Sequence, residues 1–454
     1  MKKKTNKKFT ASKKSLVLSL ACVSVLATVA NATNTGIDTD GSKVKGDANV
    51  VINSELSGGT LDLNGFSGGG DKNVTINFDI TNGIINGKGS SNLQGTITNN
   101  ATIGKGANFG NITFSGGGAT ISNNGTIDGN MTFGKLNVSG SASATGAIIN
   151  SGTISGNLII ESVNVNANIK ASGSGISVTN GGAITGGVNI GAIDVNVSGG
   201  ALGGDFVFEN TAEGTIGKDV NVGKINIESK GVGVNGGFAN VDIKNGGTIK
   251  GSINLNGEIK VAGPMANDST ASAVASVINS GTLGGINLNN NVTATKGGAF
   301  EIINETTGNI TNFVIGKSNI TVSDSGSVDL INKGTITNWI NNGSFSEINL
   351  PNNNSGGITI LNEGVVENFT NNGKIDTKTG FENSGNITNF TNSKTGFISK
   401  ITNADASANA YIGTLNNAGK ITTIVNGGIS SYGTINTLVN TGSIGSGANT
   451  AAGV

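Results

Sequence analysis

The sequence predicts an all-β chain, wound as a right-handed parallel β-helix, a stack of short-stranded coils. Three observations carry that expectation. A phrase returns along the chain: apolar, Asn, any residue, Gly, small, apolar. It occupies Ile149–Ile154, Ile278–Leu283, Ile331–Ile336, Leu361–Val366 and Val439–Ile444, with looser copies at Ile121–Ile127, Val178–Ile184 and Ile243–Ile249. A returning phrase with variable spacers marks stacked, similar coils. Second, Val, Ile, Leu and Thr alternate with polar residues, as in Asn157–Ile169, which supplies the inward face that disordered chains lack. Third, aromatics are only 4%, so burial must come from many thin aliphatic layers rather than one large core. The 75 glycines follow no G-X-Y period, which excludes collagen.

The elements follow in chain order. Met1–Lys14 is basic, Ser15–Val29 is a short apolar run, and Ala30-Asn31-Ala32 is a small-x-small cleavage site. Together they read as a secretory signal peptide, residues 1–32, cut after Ala32. The alternative is a lipid anchor at Cys22, but Ser19-Leu20-Ala21 fits a lipobox poorly. Residues 33–48 are polar and read as irregular. Residues 49–454 read as the solenoid. No later stretch is apolar and long enough to span a membrane as a helix. At about 25–30 residues per coil, the residues after Ala32 make roughly 14–17 coils, a rod on the order of 70–80 Å.

Asn123, Asn150, Asn180, Asn245, Asn279, Asn332, Asn362 and Asn440 mark one corner of the coil. Stacked amides can hydrogen-bond along the axis. The glycine two residues on (Gly152, Gly281, Gly334, Gly364, Gly442) is expected at positive φ, and the Asn is expected to tolerate the left-handed region. From about residue 300 the phrase tightens to Ile-Thr-Asn-Phe and its variants. Phe313, Trp339, Phe369 and Phe390 then occupy equivalent positions, expected to form an inward aromatic ladder. An outward strip for sugar stacking is the alternative. Continuation of the ladder as Ile401, Ile424 and Leu438 favours the interior.

Chemistry is mostly excluded. Seven lysines and no acid precede residue 33, leaving 21 basic against 28 acidic residues after it. That balance argues against nucleic acid as a partner. There is no His, no Arg, and no Cys after the leader. Ser-His-Asp catalysis, imidazole or thiolate metal sites and disulfides are therefore not expected. No cofactor is expected: Gly231–Gly236 matches G-x-G-x-x-G by composition, without a following helix. Acids at Asp205, Glu209, Glu213 and Asp219 look scattered, with no repeated pairing of carboxyls at glycosidase separation. Two acceptors fit an acidic N-glycosylation sequon, Asn73 in Asp71–Thr75 and Asn196 in Asp194–Ser198. The loops Gly263–Ala275 and Pro351–Gly357 are the longest breaks in the pattern and the expected contact loops.

The Lys-rich leader followed by degenerate Asn-x-Gly-Thr-Ile coils resembles the passenger domains of bacterial autotransporters, over nearly the whole chain. The resemblance implies export to the cell surface through an outer-membrane translocator barrel, and a non-enzymatic, adhesive or virulence-associated role toward a host or neighbouring-cell ligand. A secreted toxin-like or membrane-active solenoid is the alternative, ahead of a polysaccharide-active enzyme. The family's C-terminal barrel is not found before Val454, so the chain reads as part of a longer product. Export by a separate partner is the second option.

Overall fold

The computed structural model describes Thr35 and residues 49–445, apart from 55, 57–59, 64–72, 81–83, 87–89, 94, 115–117, 141–143, 169–172, 199–202, 231–236, 265–271, 349, 351–355, 406–409 and 429–430. The expected leader, its cleavage point at Ala32 and all of 33–48 except Thr35 lie outside the described residues. No helix occurs among the described residues, and the 44 strands join into one sheet system. All pairings between these strands are parallel, coil upon coil, as in Ala119–Asn123 against Gly146–Asn150 and Ser327–Asn332 against Gly357–Asn362.

A coil in the middle of the stack has three sides. Ser327–Asn332 forms the first, Thr335–Asn341 the second and Ser344–Ile348 the third, before Gly357–Asn362 opens the next coil. Alternation sets the inner face: in Ser174–Asn180 every second residue is buried. Aliphatic and aromatic residues therefore stack in register. One column runs Ile121, Ile148, Val178, Phe208, Ile243, Val277, Ile302, Leu330, Ile360. β-Branched residues suit this layering because their stiff side chains fill a pleated face. The last position of the first side recurs fifteen times, from Ile52 and Ile76 through Asn99 to Asn426. At the usual strand spacing, that column is about 70 Å long.

The cross-section changes along the axis. Phe397–Asn403 pairs at its start with Lys374–Ile375 of the third side and at its end with Phe381–Asn383 of the first. The two sides merge into one strand and the coil becomes two-sided. Its length falls from 35 residues between Asn210 and Asn245 to 20 between Asn383 and Asn403.

The corner amides form a continuous inner ladder. Each Nδ2 donates to the Oδ1 one coil on, through Asn99, Asn123, Asn150, Asn180, Asn210, Asn245, Asn279, Asn304, Asn332, Asn362, Asn383, Asn403 and Asn426, at 2.7–2.8 Å. Asn440 is not a rung of this ladder. It ends a second one, Asn341, Asn371, Asn392, Asn417, Asn440, on the corner after the second side. Once the coil is two-sided, both of its corners use the same local sequence. Earlier coils fill this second column with apolar residues: Phe133, Ile160, Ile190, Val222, Leu255, Leu288 and Ile315.

The corner glycines are required for a different reason from the expected one. Gly152, Gly281, Gly334, Gly364 and Gly442 are not at positive φ, and no Asn is either; among described residues other than glycine, only Lys296, Asp324 and Ser325 are. The constraint is the coil below. A Cβ on Gly152 would lie 2.0 Å from the Gly125 carbonyl oxygen, and one on Gly364 2.1 Å from that of Gly334. The corners therefore descend in a glycine column with backbone on backbone.

Phe313, Trp339, Phe369 and Phe390 are register partners and fully buried, as expected of an inward ladder. Its aliphatic continuation is Leu415 and Leu438. Ile401 and Ile424 belong instead to the column of Phe381. Phe381 closes the cluster from the opposite side, 4.4 Å from the Phe369 ring and 5.9 Å from Trp339. The Trp339 indole N–H is buried without a hydrogen-bond partner. Trp339→Phe, which removes that donor and keeps an aromatic ring, should therefore cost less than about 1.5 kcal/mol. Trp339→Ala should cost about 3–5 kcal/mol by cavity formation. Urea unfolding followed by far-UV circular dichroism separates the two.

Candidate functional site

The interior is occupied by side chains that hold the coils together, so contact chemistry falls to the outer faces. On the first side, positions that alternate with the core carry Asp205, Asp242, Ser276, Glu301, Asp329 and Thr359 on successive coils. Glu301 and Asp329 are register partners one coil apart. The acids are thus less scattered than the sequence suggests, because coils of unequal length bring distant carboxylates together. An outward aliphatic row, Ile278, Ile303, Ile331 and Leu361, runs two residues away on the same strands.

Burial governs the electrostatics of three of these carboxyls. Burial pushes the Glu301 carboxyl above its ordinary value, and the Asp329 charge adds to the shift. Burial raises Asp329 too, offset by a hydrogen bond from Thr359. Asp205 is raised by burial and partly relieved by the Asn240 amide, which donates to it at 3.0 Å. Asp242 is paired, accepting from Ser276 at 2.6 Å and lying 2.9 Å from Lys244 Nζ. A carboxyl with a raised folded pKa holds more protons in the native state than in the unfolded chain. Stability therefore falls as pH rises from the ordinary carboxylate range through the raised folded values. The melting temperature should be higher in mild acid than at neutral pH. Glu301→Gln should flatten this dependence and raise neutral-pH stability, as thermal melts across pH would show.

The second side presents amides. Asn221, Asn254 and Asn287 each donate to the Asn one coil earlier, beginning at Asn189, at 2.7–2.9 Å. Asn338, Asn368 and Asn389 do the same from Asn312, at 3.0–3.1 Å. The second set stands out because strict alternation breaks in Asn309–Ile315: Thr311 and Asn312 both face out before Phe313 turns in. Asn312 lies over Gly285, where a Cβ would meet its carbonyl oxygen at 2.8 Å.

The remaining expected residues are dispersed. The Asn73 side chain accepts from the Thr96 backbone N–H at 2.8 Å and so closes the start of a strand. Asn196 is half-buried within Val188–Ser198, with Asn166 and Glu228 as register partners on either side. The two expected loops are narrower than the sequence suggests. Ser272–Ala275 opens the strand Ser272–Asn279, and Gly357 opens Gly357–Asn362; 265–271 and 351–355 lie outside the described residues. Groups of three or more potential metal ligands are absent among the described residues, as are helices long and apolar enough to cross a membrane.

No family model, curated protein or solved structure matches the chain.

Proposed function

We propose that this chain is the exported passenger of an autotransporter-type surface protein, acting without catalysis as an adhesive scaffold. The observation that carries this reading is the allocation of side chains. Buried positions over fifteen rungs are committed to apolar columns and amide ladders, and the outer faces carry ordered polar rows. Such a body supports contact spread along its length. The Lys-rich leader supplies the export route, and a barrel encoded beyond or beside this chain supplies the translocator. The ligand is a molecule on a host or neighbouring cell. Expressed with its own leader in a diderm bacterium, the protein should appear outside the cell with Thr33 as its first residue. Purified, it should bind cells in a solid-phase assay. An uncleaved cytoplasmic product, or no binding to any cell type, would overturn the reading.

A second reading rests on Glu301 and Asp329. Two register-paired carboxyls one coil apart, both pushed above their ordinary values by burial, meet the first demand of carboxylate-pair glycoside cleavage, which is closeness. Release of reducing ends from a glycan panel, abolished in E301Q, would favour it over adhesion.

A further inference from the structure

The two outward amide rows of the second side form one track. Asn189, Asn221, Asn254, Asn287, Asn312, Asn338, Asn368 and Asn389 lie on eight consecutive coils. A single lateral step separates Asn287, which faces Val314, from Asn312, which faces Gly285. At the usual strand spacing the track is about 35 Å long. We propose that it is a binding surface for an extended, uncharged polysaccharide chain lying along the solenoid axis. The inference rests on the adhesive reading and names its ligand class.

Three properties support this ligand. The face carries little charge: in the eight strands from Val188–Ser198 to Asn386–Asn392 that carry the track, only Asp194, Lys250 and Glu367 are ionisable, one basic group against two acidic. An anionic glycan, a nucleic acid or a charged peptide finds no complementary field there. Each amide has two donors and two lone pairs, and a mid-row amide such as Asn338 spends one of each on its neighbours. A donor and an acceptor therefore remain on each such coil, the pair that a sugar hydroxyl satisfies in both its roles. The neighbour bonds also fix the amide planes beforehand, so little side-chain entropy is lost on binding. Repetition once per coil suits a ligand that is itself a repeat, and contacts too weak singly add along a polymer.

The test uses the full exported chain. Linear neutral oligosaccharides of increasing length, from β-1,4-glucose and β-1,4-N-acetylglucosamine series, are titrated by calorimetry beside a sulfated glycan. Affinity should rise with length to about eight sugars and then level off, with the sulfated glycan binding at least tenfold more weakly. The variant N254A/N287A/N338A/N368A should lose at least tenfold in affinity. The control N77A/N100A, which cuts a more exposed amide row elsewhere, should leave affinity unchanged. Melting temperatures of both variants separate lost binding from lost fold. Equal binding by the quadruple variant, a preference for the sulfated glycan, or no dependence on length overturns the track. Adhesion to cells without affinity for any neutral polymer sinks this inference alone, whereas failure to adhere at all sinks the adhesive reading with it.

Discussion

Asn332→Asp should be among the most damaging single substitutions in this protein, at about 3–5 kcal/mol. The Asn332 Nδ2 donates to Asn362 Oδ1 at 2.7 Å and to the carbonyls of Gly334 and Val365 at 3.2 Å, and its Oδ1 accepts from Asn304 at 2.8 Å. An ionised carboxylate there would face three oxygens inside a dry stack. A protonated one would still replace two donors with one. Asn332→Ala removes the group and leaves the Asn362 Oδ1 buried without its donor, whereas the Asn304 Nδ2 keeps the carbonyls of Gly308 and Thr335, so the cost is about 1–3 kcal/mol. The ordering should be Asp worse than Ala. The same change at Asn426, an exposed rung, should cost under about 1 kcal/mol. Urea unfolding followed through the sole tryptophan, Trp339, measures all three. Equal stabilities for N332D and N426D would show that the inner ladder is not under electrostatic constraint.

The second large effect is expected at Gly364. Its Cβ position lies 2.1 Å from the Gly334 carbonyl oxygen, which accepts from the Val365 N–H at 2.8 Å and from Asn332 and cannot swing aside. Gly364→Ala must push two coils apart, breaking parallel pairing on either side of the corner. We expect about 3 kcal/mol or more, the upper end for overpacking. Gly297 is the contrast. It sits at φ +74° with nothing near its Cβ position, so alanine there should cost only about 1–2 kcal/mol of backbone strain. Asn at 297 should be nearly harmless, because Asn tolerates that region, whereas Asn at 364 should be as harmful as Ala. Denaturation midpoints of the four variants decide whether conformation or space constrains each glycine.

That contrast shows what the sequence can and cannot carry. The returning Asn-x-Gly phrase identified a corner because it is local, and the aromatic positions were legible because their seven-residue strands align without gaps. Asn210 and Asn304 were missed as rungs because four residues, not two, separate them from Gly214 and Gly308. Asn383 and Asn403 were missed because the coil shortens beneath them. The glycines were found, but for the wrong reason: positive φ is a property of one residue, whereas a carbonyl 2.1 Å away belongs to the preceding coil. Glu301 beside Asp329, and the amide track, needed register across coils of 20 to 35 residues, which no local pattern records.

The two corner columns have a mechanical consequence. The first column holds no amide at Ile52 and Ile76 and is amide from Asn99 onward, and the second changes from apolar to amide only at Asn341. Buried amide stitching between successive turns is therefore graded, absent at the first two turns, where only the outer row Asn53, Asn77, Asn100 and Asn124 bridges them, and doubled from Asn341 onward. A molecule held at its carboxyl end and tugged from the other would unwind turn by turn from the free tip, with resistance growing as the doubly stitched segment is reached. The doubly stitched turns would stay wound while the free tip yields.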